Sequence, residues 1–88
     1  MTNQTVTITA KDGVHARPAT VLVQEAGKYS SEITLEYNGK SVNLKSIMGI
    51  MSLGIPNGAE VTFAAEGEDE EAALKAIIDV VKNQELGE

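Results

Sequence analysis

Cysteine is absent from this sequence of 88 residues, which excludes a disulfide framework and a thiolate metal site. Only three residues are aromatic, so the core must be mainly aliphatic; they are Tyr29, Tyr37 and Phe63. No stretch approaches the roughly 20 apolar residues that a membrane span needs. The first five residues also lack the basic start and apolar run of a signal peptide. We therefore expect one domain over residues 1–88, soluble in the cytoplasm, without membrane insertion.

Basic residues are scarce as well. Seven lysines and arginines against 13 aspartates and glutamates give a net charge of −6, which argues against nucleic-acid binding because that function needs a basic surface. The imbalance lies in the second half of the chain. Residues 1–45 hold five basic and four acidic residues, whereas residues 46–88 hold two basic and nine acidic ones. An anion site is therefore expected in the first half.

The alternation of polar and apolar residues predicts four strands, within 5–9, 33–37, 42–44 and 61–65. Between the second and third strands, Asn38-Gly39 is typical of a type I′ hairpin turn. Residues 56–58, Pro-Asn-Gly, predict a further turn before the fourth strand. The hairpin favours an antiparallel sheet, but the alternation does not determine the order of the strands.

Apolar residues at i, i+3, i+4 and i+7 predict two amphipathic helices. The first contains residues 19–26 and ends at Gly27; the second contains residues 74–81, preceded by acidic residues that include Glu71, an i,i+4 partner for Lys75. Ser46 is placed to cap a short third helix. The resulting order, β-α-β-β-α-β-α, favours an α+β fold of two layers, with the helices on one face of the sheet.

His15 is the only histidine, and it lies between the turn signal Asp12-Gly13 and the first predicted helix. The first amides of a helix have no intrahelical partner, so a helix N-terminus attracts phosphate. Arg17 adds a permanently charged guanidinium within reach of the same point. Pro18 fits the first turn, where its missing N–H would have had no partner, which leaves the amides of Ala16 and Arg17 to bind an anion.

Imidazole is nucleophilic when neutral and can leave again from a phosphorylated state, so we interpret His15 as a phosphoryl acceptor. Taken singly, a solvated histidine, a solvated arginine and a helix-starting proline are the commoner explanations, and only the cluster favours a site. No P-loop, second histidine or Ser/His/Asp set accompanies His15. This absence indicates that partner proteins supply the remaining machinery.

Two segments resemble the histidine-containing phosphocarrier (HPr) family of the bacterial sugar phosphotransferase system. Residues 13–20, GVHARPAT, are similar to the active-site signature of that family. Residues 45–53, KSIMGIMSL, are similar to its regulatory serine segment in the Gram-positive form. The resemblance runs from the first strand to the last helix. It implies an open-faced sandwich with a four-stranded antiparallel sheet, in the order 1-4-2-3, covered on one face by three helices.

The resemblance also implies the reaction. Enzyme I, phosphorylated by phosphoenolpyruvate, would pass the phosphoryl group to Nδ1 of His15, which would pass it to IIA domains of sugar permeases. Arg17 would stabilise the phosphate, and Ala16 and Thr20 would contribute to the surface that partners bind. The protein would be a monomeric carrier within a relay, not an independent enzyme, and would need no metal and no cofactor.

By the same resemblance, Ser46 is the target of an ATP-dependent kinase and a phosphorylase that regulate carbon catabolism, with a catabolite-control transcription factor as a further partner. Ile47, Met48 and Met51 would form an apolar docking patch, and methionine-rich exposed surfaces do suit adaptable binding. The plainer alternatives are that Ser46 is only a helix cap and that two or three of the apolar residues Ile47, Met48, Ile50 and Met51 belong to the core.

Three other functions are considered: a regulatory binding module, a carrier of the nitrogen-related branch, and a small metal or ligand binder. An HPr-like regulatory binding module that acts through Ser46 would be expected to lack the active histidine. A carrier of the nitrogen-related branch would not be expected to contain the Ser-Ile-Met-Gly segment. One histidine and no cysteine argue against a small metal or ligand binder.

Asp12 departs from the family pattern, which commonly has a small hydroxyl or amide residue at that position. If its carboxylate approaches the ring of His15, it would repel a phosphoryl group bound there. The alternative is that Asp12 only stabilises the Asp-Gly turn and points into solvent, because aspartate is a common turn residue.

Overall fold

The computed structural model describes the whole chain, residues 1–88. Its strands are β1 (Thr2–Thr7), β2 (Glu32–Tyr37), β3 (Lys40–Asn43) and β4 (Glu60–Glu66). Its helices are α1 (Ala16–Ala26), α2 (Ile47–Ser52) and α3 (Glu70–Asn83). The strands form one antiparallel sheet in the order β1-β4-β2-β3. The predicted succession of elements is confirmed, and so is the strand order that the family resemblance implies.

The core lies between the sheet and the helices. In β4, Val61, Phe63 and Ala65 are buried, whereas the residues between them face the other, open side of the sheet. Phe63 pairs with Leu35 of β2, and both side chains are almost completely buried. Phe63 is also the only aromatic residue among the 20 that form the core, which confirms that the core is mainly aliphatic.

The helical faces agree with the predicted spacing. In α1 the buried positions include Ala19, Leu22 and Ala26, and in α3 all four predicted residues are buried: Leu74, Ile77, Ile78 and Val81. Helix α1 ends at Gly27, although its φ of −65° is a right-handed value that any residue can adopt. None of the three helices has both the length and the apolar character needed to cross a membrane.

The turn between β2 and β3 is also as predicted. Asn38 and Gly39 have φ values of 53° and 81°, and positive φ at both central residues is the requirement of a type I′ turn. The turn brings Tyr37 opposite Lys40, which sets the register of the hairpin. The inward alternation of Ile33 and Leu35 follows from that register.

Two local predictions are wrong. Strand β1 begins at Thr2 and not near Thr5, because Thr2 to Thr7 all pair with β4 although only Val6 of this strand is buried. A strand end that is exposed on both faces carries no hydrophobic alternation. The predicted ion pair of Glu71 with Lys75 does not form, since the Lys75 ammonium lies 3.9 Å from the Asp79 carboxylate instead. Exposed pairs of this kind contribute little to stability, so the sequence spacing alone does not determine which of them forms.

Asp69, the N-cap residue of α3, attaches this helix to the loop between α1 and β2. The carboxylate accepts hydrogen bonds from the Ser31 hydroxyl, from the Ser31 amide at 3.0 Å and from the Ser30 amide at 3.0 Å. Ser31 is almost completely buried, and Gly67 packs so closely on it that an added Cβ would lie 2.8 Å from the Ser31 Cα. The Ser31 hydroxyl, followed by the Ser30 amide, lowers the pKa of the Asp69 carboxyl below its ordinary value of 3.8.

Asp69→Asn is expected to lower the melting temperature at pH 7 by several degrees, because an amide cannot accept all three hydrogen bonds. Since the folded-state pKa of Asp69 is lowered, its contribution is present above pH 3.8 and is lost as the pH falls through the lowered value. The difference between wild type and mutant should therefore shrink in acid. Thermal unfolding from pH 7 to pH 2 measures it. Asp79→Asn, which removes an exposed carboxylate from α3, is the control and should change little.

Candidate functional site

The segment before α1 is fixed against the segment after α2. The Gly13 amide donates to the Ala10 carbonyl at 3.0 Å, which closes a tight turn, and the Val14 amide donates to the Ile55 carbonyl at 3.0 Å. Gly13 has φ +68°, and a Cβ there would overlap the Ile55 carbonyl oxygen and lie 2.9 Å from the Cα of Pro56. With Val14 buried, the chain reaches His15 from a defined direction.

His15 is the N-cap residue of α1. Its backbone is extended, with φ −102° and ψ −175°, and its carbonyl accepts the Ala19 amide at 3.1 Å. Its side chain makes no capping hydrogen bond and is exposed. The backbone amides of Ala16 and Arg17 have no hydrogen-bond partner in the chain. The structure therefore places an exposed imidazole at the N-cap, next to two free amides at the positive end of the helix dipole.

The other predicted residues of this cluster lie within the first two turns of α1. Arg17 is exposed and takes part in no ion pair or hydrogen bond, so its guanidinium is available to an incoming anion. Pro18 is buried in the first turn, as predicted. The Thr20 hydroxyl donates to the Ala16 carbonyl at 2.9 Å, one turn into the helix. Ala16 is exposed at the start of the same helix.

Asp12 is exposed in the turn closed by Ala10 and Gly13. Its carboxylate makes no hydrogen bond and lies in no ion pair, including with the ring of His15. The structure therefore agrees with the second interpretation of Asp12, in which the residue belongs to the turn and points into solvent.

Ser46 is the N-cap of α2, as predicted. Its Oγ accepts the Gly49 amide at 3.0 Å, and its carbonyl accepts the Ile50 amide at 3.1 Å. The side chain is only half-exposed, because it packs in the space that Gly49 leaves open. The ammonium of the neighbouring Lys45 does not bond to Ser46; it donates a hydrogen bond to the Tyr29 carbonyl at 2.8 Å.

The docking patch, defined as Ile47, Met48 and Met51, is exposed on α2. The exposed fractions are 40%, 84% and 41%, whereas Ile50 between them is 1% exposed and belongs to the core. Large apolar side chains at this exposure are typical of a surface that binds a partner. The alternative explanation, burial in the core, therefore applies to Ile50 alone.

Helices α1 and α2 pack on each other in opposite directions. Ile55, just after α2, contacts the segment before His15, whereas Lys45, just before α2, reaches Tyr29 beyond the far end of α1. Ser46 therefore lies toward the end of α1 that is remote from His15. The docking patch begins next to Ser46 and extends along α2 toward the end of α1 that carries His15.

The chain is thus an open-faced α+β sandwich with an exposed histidine at a helix N-terminus and an exposed apolar patch on the neighbouring helix. The family model described as "PTS HPr component phosphorylation site" matches residues 2–83. The chain belongs to this HPr family of phosphotransferase-system phosphocarriers.

Solved structures agree with the family. The histidine-containing phosphocarrier protein of Mycoplasma is 44% identical, with a TM-score of 0.97 over 99% of both chains. The HPr dimer from Thermoanaerobacter tengcongensis is 51% identical, with a TM-score of 0.76 over 96% of this chain and 97% of that one. Crh, the catabolite repression protein of Bacillus subtilis, is 48% identical, with a TM-score of 0.75 over the same shares.

Two of these relatives are dimers, and the Crh dimer is described as formed by a swapped domain. The monomeric state expected from the sequence is therefore still a prediction for this chain.

Sequence reasoning missed the contacts that hold the segment before His15. The sequence predicts only a turn at residues 56–58, yet the Asn57 side-chain amide donates to the carbonyls of Thr9 at 3.2 Å and Ala10 at 3.0 Å. The carbonyl of Leu86 also accepts the amides of Thr9 and Ala10. These partners are at least 47 residues away along the chain, so no local pattern could have indicated them.

Proposed function

We propose that this protein accepts a phosphoryl group on His15 from phosphorylated Enzyme I and passes it to IIA domains of sugar permeases in the cytoplasm. The observation that carries the proposal is the exposed imidazole of His15 beside the unpartnered amides of Ala16 and Arg17. Membership of the HPr family supports the relay as its context. The protein is a covalent carrier, and the enzymes at either side of it supply specificity.

In the proposed step, the lone pair of Nδ1 on neutral His15 attacks phosphorus, and the bond from phosphorus to the donor breaks. The developing charge lies on the three phosphoryl oxygens, where the two free amides and the Arg17 guanidinium can donate hydrogen bonds. The reverse of this step delivers the group to the next acceptor. Because His15 makes no hydrogen bond of its own, its ring is free to bind and release the group.

The exposed position of the site requires that a partner exclude water during transfer. The docking patch offers that partner an apolar surface on the helix that packs beside α1. Incubation with phosphoenolpyruvate and Enzyme I tests the carrier function. The intact mass should rise by one phosphoryl group, which should then move to a IIA domain added afterwards. A mass that never changes, with Enzyme I shown to be phosphorylated, would contradict the proposal.

Arg17→Ala is expected to slow transfer several-fold or more, because a charge-assisted donor to the transferring phosphoryl group is lost. The free energy of unfolding should change by no more than about 0.5 kcal/mol, since Arg17 is exposed and unpaired. Transfer rates and urea midpoints measure the two effects. Arg17→Lys, which keeps the charge but not the planar guanidinium, should have a transfer rate between those of wild type and Arg17→Ala. A variant that unfolds easily but transfers normally would give Arg17 a structural role instead.

We further propose that phosphorylation of Ser46 regulates the carrier by weakening the docking of Enzyme I. A phosphoserine adds a charge of about −1.5 to −2 next to Ile47 and Met48, where an apolar interface would have to desolvate it. Screening reduces the direct field of this charge at His15, because Ser46 lies toward the far end of α1 and the Debye length is roughly 8 Å at physiological ionic strength. The kinase, phosphorylase and catabolite-control partner belong to this proposal, and the similarity to Crh supports it.

Ser46→Asp is expected to raise the Enzyme I concentration needed for half-maximal His15 phosphorylation by about tenfold, through the charge placed in the interface. The fold should be preserved, because aspartate caps a helix about as well as serine. Concentration-dependent rates and melting curves measure both effects. Ser41→Asp, on the open face of the sheet, adds the same charge away from α2 and should behave as wild type. Equal profiles for the two variants would leave Ser46 as a helix cap only.

A further inference from the structure

The turn at residues 56–58 holds the segment that leads to His15 through one side chain. The Asn57 amide nitrogen lies 3.0 Å from the Ala10 carbonyl and 3.2 Å from the Thr9 carbonyl. No other side chain hydrogen-bonds to the backbone of residues 8–15. The other hydrogen bonds of residues 8–15 join backbone atoms; outside the segment their partners are Ala19, Ile55, Gly58, Ala59 and Leu86.

The Ala10 carbonyl connects the Asn57 side chain to the turn that precedes His15. It accepts both the Asn57 side chain and the Gly13 amide, so its two lone pairs are both used. The second of these bonds closes the turn that ends at Gly13, two residues before His15. A shift of the Ala10 carbonyl therefore changes the direction in which the chain enters α1.

The position of Asn57 is itself well determined. The Gly58 amide donates to the Ile8 carbonyl at 2.7 Å, and the Ile8 amide donates to the Ala59 carbonyl at 2.8 Å. These two bonds anchor the turn to the end of β1, while Gly58 takes the positive φ of 89° that the turn needs. The backbone next to Asn57 is thus held in place, although the Asn57 side chain itself is exposed.

We propose that Asn57 is a positioning residue for phosphoryl transfer, which acts by holding the Thr9 and Ala10 carbonyls and thereby the direction of His15. This inference rests on the proposed function of His15. An amide suits this contact, because its NH2 group donates to both carbonyl oxygens without adding a charge. A carboxylate of the same shape would place negative oxygen against both carbonyls. Small displacements of a reacting group are costly, since about 1 Å of misplacement can slow a reaction about 100-fold.

Three variants test the proposal. Asn57→Ala removes the donors without adding charge, Asn57→Asp replaces them with a repelling carboxylate, and Asn57→Gln retains an amide. Asn38→Asp is the matched control, because Asn38 is exposed, makes no side-chain hydrogen bond and lies in the distant hairpin turn. The readouts are the maximal rate of His15 phosphorylation, the half-saturating concentration of Enzyme I, and the hydrogen exchange of the Gly13 amide.

Asn57→Ala should lower the maximal rate several-fold and Asn57→Asp about tenfold, and both should speed exchange at Gly13. The half-saturating Enzyme I concentration should not change, because the docking patch is intact. Asn57→Gln should recover most of the rate, and Asn38→Asp should match wild type.

A wild-type maximal rate in Asn57→Ala would overturn the proposal, even if Asn57→Asp were slow, because the effect would then be one of charge. An equal loss in Asn38→Asp would overturn it for the same reason. Failure of wild-type His15 to take up any phosphoryl group would instead contradict the proposed function. Hydrogen exchange of the Gly13 amide needs no Enzyme I, so it tests the role of Asn57 independently of the proposed function of His15. Unchanged exchange in Asn57→Ala would show that Asn57 does not hold the segment.

Discussion

Replacing Gly13 with alanine should lower the free energy of unfolding by on the order of 3 kcal/mol. Two effects add. The φ of +68° is costly for any residue with a Cβ, and that Cβ would overlap the Ile55 carbonyl oxygen and crowd Pro56. Both obstacles are backbone atoms, which cannot move aside as a flexible side chain could. The segments around residues 13 and 55 would have to separate, and His15 would move with them.

Gly39→Ala is the matched control for this prediction. Gly39 has φ +81° but nothing within 4 Å of an added Cβ, so its replacement should cost only the conformational term of about 1 kcal/mol. Urea unfolding of the two variants separates the terms, and the transfer rate should fall only in Gly13→Ala. Equal destabilisation in both would mean that the close approach to Ile55 does not constrain the chain.

Residues close together in the sequence explain most of what could be predicted of the fold. The spacing of Leu74, Ile77 and Val81 identifies α3, and Asn38-Gly39 identifies the hairpin, because each signal reflects neighbouring residues only. The strand order is different. Placing β4 between β1 and β2 depends on how the two layers pack, and alternation within a strand carries no information on its neighbours. The family resemblance supplied that order.

The same distinction applies to the candidate site. His15, Arg17 and Ser46 stand at helix starts that local signals identify, and the structure places all three there, although their chemical roles are proposals. The contacts of Asn57 with Ala10, and of Asp69 with Ser31, join residues 47 and 38 positions apart. Such contacts follow from the assembled sheet, so a single sequence does not reveal them.

The charge imbalance of the chain is also explained by the structure. Many acidic residues lie away from the start of α1: Glu32, Glu36, Glu60 and Glu66 are exposed on the strands, and Glu70 and Glu71 begin α3. At the start of α1, Arg17 and the free amides of the helix can donate hydrogen bonds to an anion. A chain with a net charge of −6 can therefore still present a site for a phosphoryl group.

His15→Ala is expected to abolish phosphorylation by Enzyme I while leaving the fold intact. The His15 side chain is exposed and makes no capping hydrogen bond, so its removal should change the free energy of unfolding by no more than about 0.5 kcal/mol. The loss of phosphorylation would then be a loss of the acceptor and not of the structure.

The most direct measurement is the intact mass of wild type and His15→Ala after incubation with phosphoenolpyruvate and Enzyme I, followed by acid and alkali treatment. If His15 is the acceptor, wild type gains one phosphoryl group, which is lost in acid and stable in alkali as a phosphoramidate is, and His15→Ala gains none. An acid-labile phosphoryl group on His15→Ala would contradict this assignment of the acceptor.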